Sequence, residues 1–312
     1  MSLLDRFKDR LVLPAIASPM FIVSQPDLVM AQCRAGVIGA FPSLNARPSG
    51  VFEQWLQRLT MELTDDDAPF AVNLIVHRSN PRLQEDLALC CKYKVPIVIT
   101  SLGAQVEVNA AIHSYGGVVL HDVIDNRFAR KAVDKGADGL IAVAAGAGGH
   151  AGTLSPFALI QEIRDWFSGP LALSGSIANG GAILAAQAMG ADFAYIGSAF
   201  IATQEANAEP AYKQMLVDSS ASDIIYSNLF TGVHGNYLRG SIERAGLDPD
   251  NLALSDPTKM DFASLSEDKK AWRDIWGCGQ GIGAIDAVVP AADLIARLSQ
   301  EYQAARSRLC AM

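Results

Sequence analysis

The 312-residue sequence predicts the α/β class, as a (β/α)8 barrel carrying a small helical cap. Three observations predict it. Short apolar, β-rich runs recur at intervals of about 20–30 residues. Each is followed by a stretch with helical periodicity. The runs are continuously apolar, which implies burial on both faces, as a parallel sheet covered by helices requires. Eight such units in about 200 residues favour a closed TIM barrel over a doubly wound sheet, which usually carries one unit fewer.

The strands are predicted at Val12–Met20, Val37–Phe41, Phe70–Val76, Pro96–Ser101, Val118–Val123, Gly139–Ala144, Pro170–Gly175 and Phe193–Ser198. Helical patterns lie between them, among others at Asp27–Ala35, Pro81–Tyr93, Arg127–Lys135, Pro156–Phe167 and Gly181–Met189. The turns Lys135-Gly136-Ala137-Asp138 and Met189-Gly190-Ala191-Asp192 repeat nearly verbatim, each with glycine where a helix end calls for a left-handed residue. They belong to the structural face of the barrel. After Ala206 the strand rhythm stops, and Glu209 to Ala271 reads as helical, with loops around Pro249 and Pro257. The chain thus divides into a barrel over 1–208, a helical cap over 209–275 and a segment over 276–312 that returns to the barrel. That last segment opens on the glycine cluster Gly277 to Gly283 and continues as a helix over Ala291–Arg308.

Charge and composition exclude several classes of function. The net charge is −8 and no Lys/Arg cluster could neutralise a run of phosphates, so nucleic acid is not a partner. The most apolar stretches, Leu11–Val23 and Gly139–Gly149, are broken by proline or glycine and fall short of the roughly 20 residues of a membrane span. The opening MSLLDRFKDR has charges of both signs and no apolar core, unlike a secretory signal or transit peptide. Five cysteines without paired spacing suit reduced thiols and a cytoplasmic location, not a disulfide framework or a zinc site. No metal-binding or nucleophile motif is present, and the expected partners are a small molecule and, at most, a second copy of the chain.

In a barrel the site is built from loops that follow the strands, and phosphate groups bind after the seventh and eighth. Those two places read Ser174-Gly175-Ser176-Ile177-Ala178-Asn179-Gly180-Gly181 and Ile196-Gly197-Ser198, small residues that let backbone N–H groups approach an anion. A helix opening near Asn179 is expected to add its positive end. The loop after the sixth strand, Ala145-Gly146-Ala147-Gly148-Gly149-His150-Ala151-Gly152, leaves room for a flat ligand beside one imidazole able to exchange protons near neutral pH. Asn73, a polar side chain inside the apolar run of the third strand, needs hydrogen bonds that a heteroaromatic ligand could supply. His121 could face the site or away from it; His77, His113 and His234 read as surface or structural, and Cys278 as an unactivated thiol.

These residues resemble the FMN-dependent nitronate monooxygenases, formerly 2-nitropropane dioxygenases, over nearly the whole chain. The most specific match is Gly148-Gly149-His150-Ala151-Gly152, supported by Pro14–Met20, by Pro69–Leu74 and by the two phosphate loops. The resemblance implies FMN as cofactor and oxidation of alkyl nitronates with O2 to a carbonyl compound and nitrite. It implies that the backbone of Ala17, Ser18, Pro19 and Met20 faces the flavin, that Asn73 hydrogen-bonds it, and that Gly148 and Gly149 line it. Ser174, Gly175, Ser176, Ile196, Gly197 and Ser198 would hold the phosphate, and His150 would be the base or hydrogen-bond donor toward substrate. Two positions depart from the family pattern: Ser176 stands where a glycine is usual, and Asp122 stands beside the flavin where quinone-reducing members carry lysine. The second departure argues against the other activity the loops allow, an NAD(P)H-dependent reductase of quinones or enoyl thioesters.

Overall fold

The computed structural model describes residues 6–48, 50–255 and 274–311. Its strands are β1 (Ala15–Ala17), β2 (Gly39–Pro42), β3 (Phe70–Ile75), β4 (Ile97–Ser101), β5 (Val118–Val123), β6 (Gly139–Val143), β7 (Gly149–His150), β8 (Leu171–Ser174), β9 (Phe193–Ile196), β10 (Ile224–Ser227) and β11 (Gly235–Leu238). The helices are α1 (Pro26–Arg34), α2 (Val51–Glu62), α3 (Leu83–Lys92), α4 (Val106–His113), α5 (Asn126–Asp134), α6 (Pro156–Arg164), α7 (Gly180–Ala188), α8 (Ser198–Ile201), α9 (Pro210–Asp218), α10 (Arg239–Arg244) and α11 (Ala291–Cys310).

Eight strands form one parallel sheet in the order β1-β9-β8-β6-β5-β4-β3-β2, and a bridge from Ile16 to Ile38 joins its two ends. The sheet is therefore a closed barrel with helices between the strands, as the sequence predicts. Several predicted strands shorten: Val12–Met20 contracts to Ala15–Ala17 because Pro14 and Pro19 flank it and cannot donate to a ladder.

Strand alternation separates two packing zones. Ile16, Ala40, Ala71, Ile97, Ile99, Leu120, Ile141, Ala172, Phe193 and Tyr195 fill the barrel interior, over Phe7. The residues between them, such as Val98, Leu140, Ala142, Leu173 and Ala194, pack outward against the helices. One pleat further toward the C-terminal ends, the inward positions turn polar or small: Ser18, Asn73, Ser101, Asp122, Ser174 and Gly197. The floor of a cavity replaces the core at that level.

The segment after Ala206 corrects the all-helical reading. It holds α9 and α10, but β10 and β11 between them form an antiparallel pair, and β11 also pairs with β7. Ile224-Ile225-Tyr226 and Tyr237 have β-favouring side chains, yet strands this short form because Gly149 and His150 offer them an edge. The remainder of that reading, up to Ala271, falls partly on residues 256–273, outside the described residues.

Helix α11 packs against α7: the Tyr302 hydroxyl donates to Gln187 at 2.6 Å, and Glu301 Oε2 accepts the Gly180 N–H at 2.8 Å. The two helices meet so closely that a Cβ on Gly180 would lie 2.1 Å from the Tyr302 nitrogen and 2.3 Å from the Leu298 oxygen. Both are backbone atoms. Gly180→Ala is expected to destabilise the protein by about 1–3 kcal/mol, the usual cost of overpacking, seen as a fall of several degrees in the thermal unfolding midpoint.

Candidate active site

A cavity of about 910 Å³ opens at the C-terminal ends of the barrel strands. Its size lies at the upper end of small-molecule sites, which leaves room for a cofactor and a second molecule. Ser18, Pro19, Met20, Asn73, Asp122, Gly148, Gly149, His150, Ser174, Gly175, Ser176, Gly197 and Ser198 all line it. Ala17 and Ile196, grouped with them in the sequence, are instead fully buried in the packing between barrel and helices. Alternation explains this, because each stands next to an inward-facing neighbour, Ile16 or Tyr195.

One wall is a nest of glycines. A Cβ at Gly146 would lie 2.2 Å from Ser176 Oγ, at Gly175 2.8 Å from the Ala145 oxygen, and at Gly148 2.8 Å from the Gly279 nitrogen. Gly146 and Gly175 also sit at φ +82° and +136°, where a side chain would be strained. Ser176 itself takes φ +56°, so the serine that replaces the customary glycine keeps a glycine-like backbone. Its N–H points to the Gly146 carbonyl at 3.3 Å.

The anion-attracting helix end inferred near Asn179 needs correction. Asn179 caps α7 by accepting from Ala182, and Glu301 occupies the Gly180 N–H, so a carboxylate already answers the positive end of that helix. The loop ahead of the helix, Gly175 to Ala178, lines the cavity.

The C-terminal glycine cluster closes the site from the far side, which sequence reasoning left without a role. The Gly279 N–H donates to Ser198 Oγ at 2.8 Å and the Gln280 N–H to the Gly146 carbonyl at 2.9 Å, so residues far apart in the chain share one wall. Trp276 stacks on Tyr212 with ring centroids 4.8 Å apart, and the Tyr212 hydroxyl donates to the Gly277 carbonyl. Cys278 is buried and its thiol is pushed well up by burial, which leaves it inert.

His150 stands in β7, paired with Gly235 of β11, and is half-buried. Its Nε2 lies 2.9 Å from Thr231 Oγ1, and that hydroxyl donates to the Val233 carbonyl at 2.9 Å. A hydroxyl whose hydrogen is committed in this way accepts from the imidazole, which places a ring proton on Nε2. Burial lowers the imidazole to about 4, so the ring is neutral at physiological pH. Thr231 was not visible from the sequence, because 81 residues separate it from His150.

The floor is a hydrogen-bonded row. Asn73 Nδ2 donates to Ser101 Oγ at 2.7 Å and to the Ile99 carbonyl at 3.1 Å, leaving its oxygen as the group with which it can meet a ligand. Ser101 Oγ donates to Asp122 Oδ2 at 2.5 Å. His121 turns to the other side of β5, where its Nδ1 meets Thr100 Oγ1 at 2.6 Å, and it also lines part of the cavity. His77, His113 and His234 do not line it. Among the described residues no cluster of three metal-ligating side chains occurs, and no helix is long and apolar enough to cross a membrane.

Comparison with known proteins accords with this geometry. A family model for nitronate monooxygenase matches residues 82–301. A nitronate monooxygenase of Paraburkholderia phytofirmans is 25% identical, covering 93% of this chain and 92% of the relative. Among solved structures, a nitroalkane oxidase from Streptomyces ansochromogenes superposes with a TM-score of 0.83 at 26% identity, over 97% of this chain and 99% of that one. A point mutant of FabK from Thermotoga maritima gives 0.80 at 25% identity, over 99% and 98%. Matched over well more than half its length by the family model, and end to end by such relatives, the chain belongs to the nitronate monooxygenase family of flavin-dependent oxidoreductases.

Proposed function

We propose that this protein oxidises alkyl nitronates with O2 to a carbonyl compound and nitrite, with FMN as its cofactor. The observation that carries the proposal is His150, held neutral with Nε2 tied to Thr231, in the wall of a glycine-lined cavity large enough for a flavin and a small substrate.

The residues present fit a flavin mononucleotide. Glycines at 146, 148 and 175 let the facing loops close on one another, since a Cβ at any of them would strike a neighbouring loop, and the same small residues line the cavity, where a flat or anionic group can come close to the backbone. Gly175, Ser176, Gly197 and Ser198 would hold the phosphate, while Gly148, Gly149 and the Asn73 oxygen would meet the ring. No second glycine fingerprint is present for an adenylate half, which favours FMN over FAD. Bound there, a flavin supplies the electron transfer and oxygen chemistry. The chain's own part is to orient the reactants, keep water away from them and hold or move a proton at the His150 imidazole.

Heat release of the cofactor followed by chromatography is expected to yield FMN, and recovery of FAD, or of no flavin from a saturated preparation, would overturn the assignment. The function itself is tested by anaerobic mixing of the yellow protein with a nitronate, NADH and NADPH in parallel. Bleaching by the nitronate with no nicotinamide present, and slow bleaching by both nicotinamides, is expected, because Asp122 faces the cavity where the resembling quinone reductases carry lysine. Fast bleaching by a nicotinamide, unaffected by Asp122→Lys, would assign a reductase instead.

A further inference from the structure

The cavity floor carries a carboxyl group that the proposed chemistry does not use. Asp122 projects from β5 into the barrel, one pleat above Leu120. Oδ2 accepts from Ser101, whose own oxygen accepts from Asn73. Oδ1 is shut off from solvent and has no hydrogen-bond partner among the described residues. An oxygen left so in a protein interior is costly, and more so when charged, so the site is built for a proton or a ligand donor to meet it.

Among the described residues, the neighbours of Asp122 offer no compensating charge. β4 presents the Ser101 hydroxyl, and β6 presents Ile141 and Val143. From β9 comes Tyr195, whose hydroxyl bonds Ser18 and whose acidity the Asp122 charge suppresses further. On β5 itself His121 turns to the opposite face and is lowered to about 4 by burial, as is His150 across the cavity. Lys131 and Glu209 line the same cavity without pairing with Asp122. Burial therefore dominates and lifts the carboxyl to about 6, against the pull of the Ser101 hydrogen bond.

We propose that Asp122 is the proton-holding residue of the cofactor cavity, taking one proton from solvent onto Oδ1 when two electrons enter the bound flavin. The inference rests on the flavin reading above. The electrons come from the reductant and stay on the cofactor; the proton comes from water and stays on the carboxyl, so the cavity gains one negative charge fewer than it gains electrons. Added negative charge close to a carboxylate raises its proton affinity, as any like charge does. The sign follows. Below about pH 6 Asp122 already carries its proton and none is added on reduction. Above that value it starts ionised and is protonated as the cavity becomes more negative. One additional proton in a two-electron equilibrium makes reduction tenfold harder per pH unit, or about 30 mV.

The test is a reductive titration of the holoprotein against reference dyes from about pH 5 to 9, following flavin absorbance. The potential is expected to fall more steeply above about pH 6 by up to the tenfold per unit just given, and Asp122→Asn is expected to abolish that steeper portion. Ser101→Ala removes the hydrogen bond that favours the carboxylate and is expected to move the break to higher pH. A merely structural Asp122 would change flavin retention or folding without moving the break. Equal slopes in wild type and Asp122→Asn, or a wild type with no break, overturn the inference. Should Asp122→Asn fail to hold flavin, an unmoved break in Ser101→Ala overturns it. A saturated preparation that is colourless overturns the flavin reading instead, which is a distinguishable failure.

Discussion

Replacing His150 by asparagine is expected to lower nitronate turnover by about 10² or more while leaving the flavin bound. The proposed cofactor cradle is made of glycines and serines, and His150 contributes a side chain to one wall of the cavity. The asparagine keeps a polar side chain near Thr231 but lacks an accepting ring nitrogen, so it can hold β7 in place without taking a proton. Flavin absorbance of the purified variant and its kcat with a nitronate decide the matter. Unchanged turnover would confine His150 to pairing β7 with β11, whereas a colourless protein would make it part of the cradle. Because burial lowers the imidazole from 6.5 to about 4, protonation of His150 is not expected to reduce kcat/KM between about pH 8 and 5; an activity loss from this group belongs below that range.

Gly279→Val is expected to weaken flavin retention by about 10–100-fold. A Cβ at position 279 would stand 2.5 Å from the Gly146 oxygen and 3.0 Å from the Gly148 nitrogen. Both are backbone atoms of the facing wall and cannot swing aside as a side chain can. The segment must withdraw, breaking the bonds from Gly279 to Ser198 and from Gln280 to Gly146. Overpacking of this kind costs about 1–3 kcal/mol, and every 1.4 kcal/mol is tenfold in affinity. Gly283→Ala supplies the control, since a Cβ there meets nothing within 4 Å. Equilibrium dialysis of released flavin compares the two, and equal retention would show that the glycine cluster is not part of the cradle.

The barrel was legible in the sequence because its signal is local. Each strand is an apolar run bounded by turn residues, and each helix that follows buries one face against it, so period and punctuation suffice. The glycine loop around His150 was legible for the same reason. Other parts depend on distant partners. Thr231 could not be linked to His150 nor Ser198 to Gly279, each pair being 81 residues apart. β10 and β11 were read as helix because four-residue strands carry little periodicity, and the edge that stabilises them belongs to another stretch of chain. The floor was half legible: Asn73 stood out as polar in an apolar run, whereas Ser101 at the end of β4 looked like an ordinary strand terminus until its bond to Asp122 was seen.

The wall formed by Gly277, Gly279 and Gly281 bears on how the enzyme is made. The parallel sheet is complete at Ile196, and the loops around Gly146 and Ser176 precede that point in the chain. Their facing wall comes some eighty residues later, and Gly279 and Gln280 reach Ser198 and Gly146 only then. On a ribosome the N-terminal parts of a chain emerge and fold first. The barrel can therefore form early as an open cup, and the cofactor slot is enclosed only once the residues beyond Gly281 have been synthesised. On the flavin reading, cofactor capture is expected to be a late event in biosynthesis.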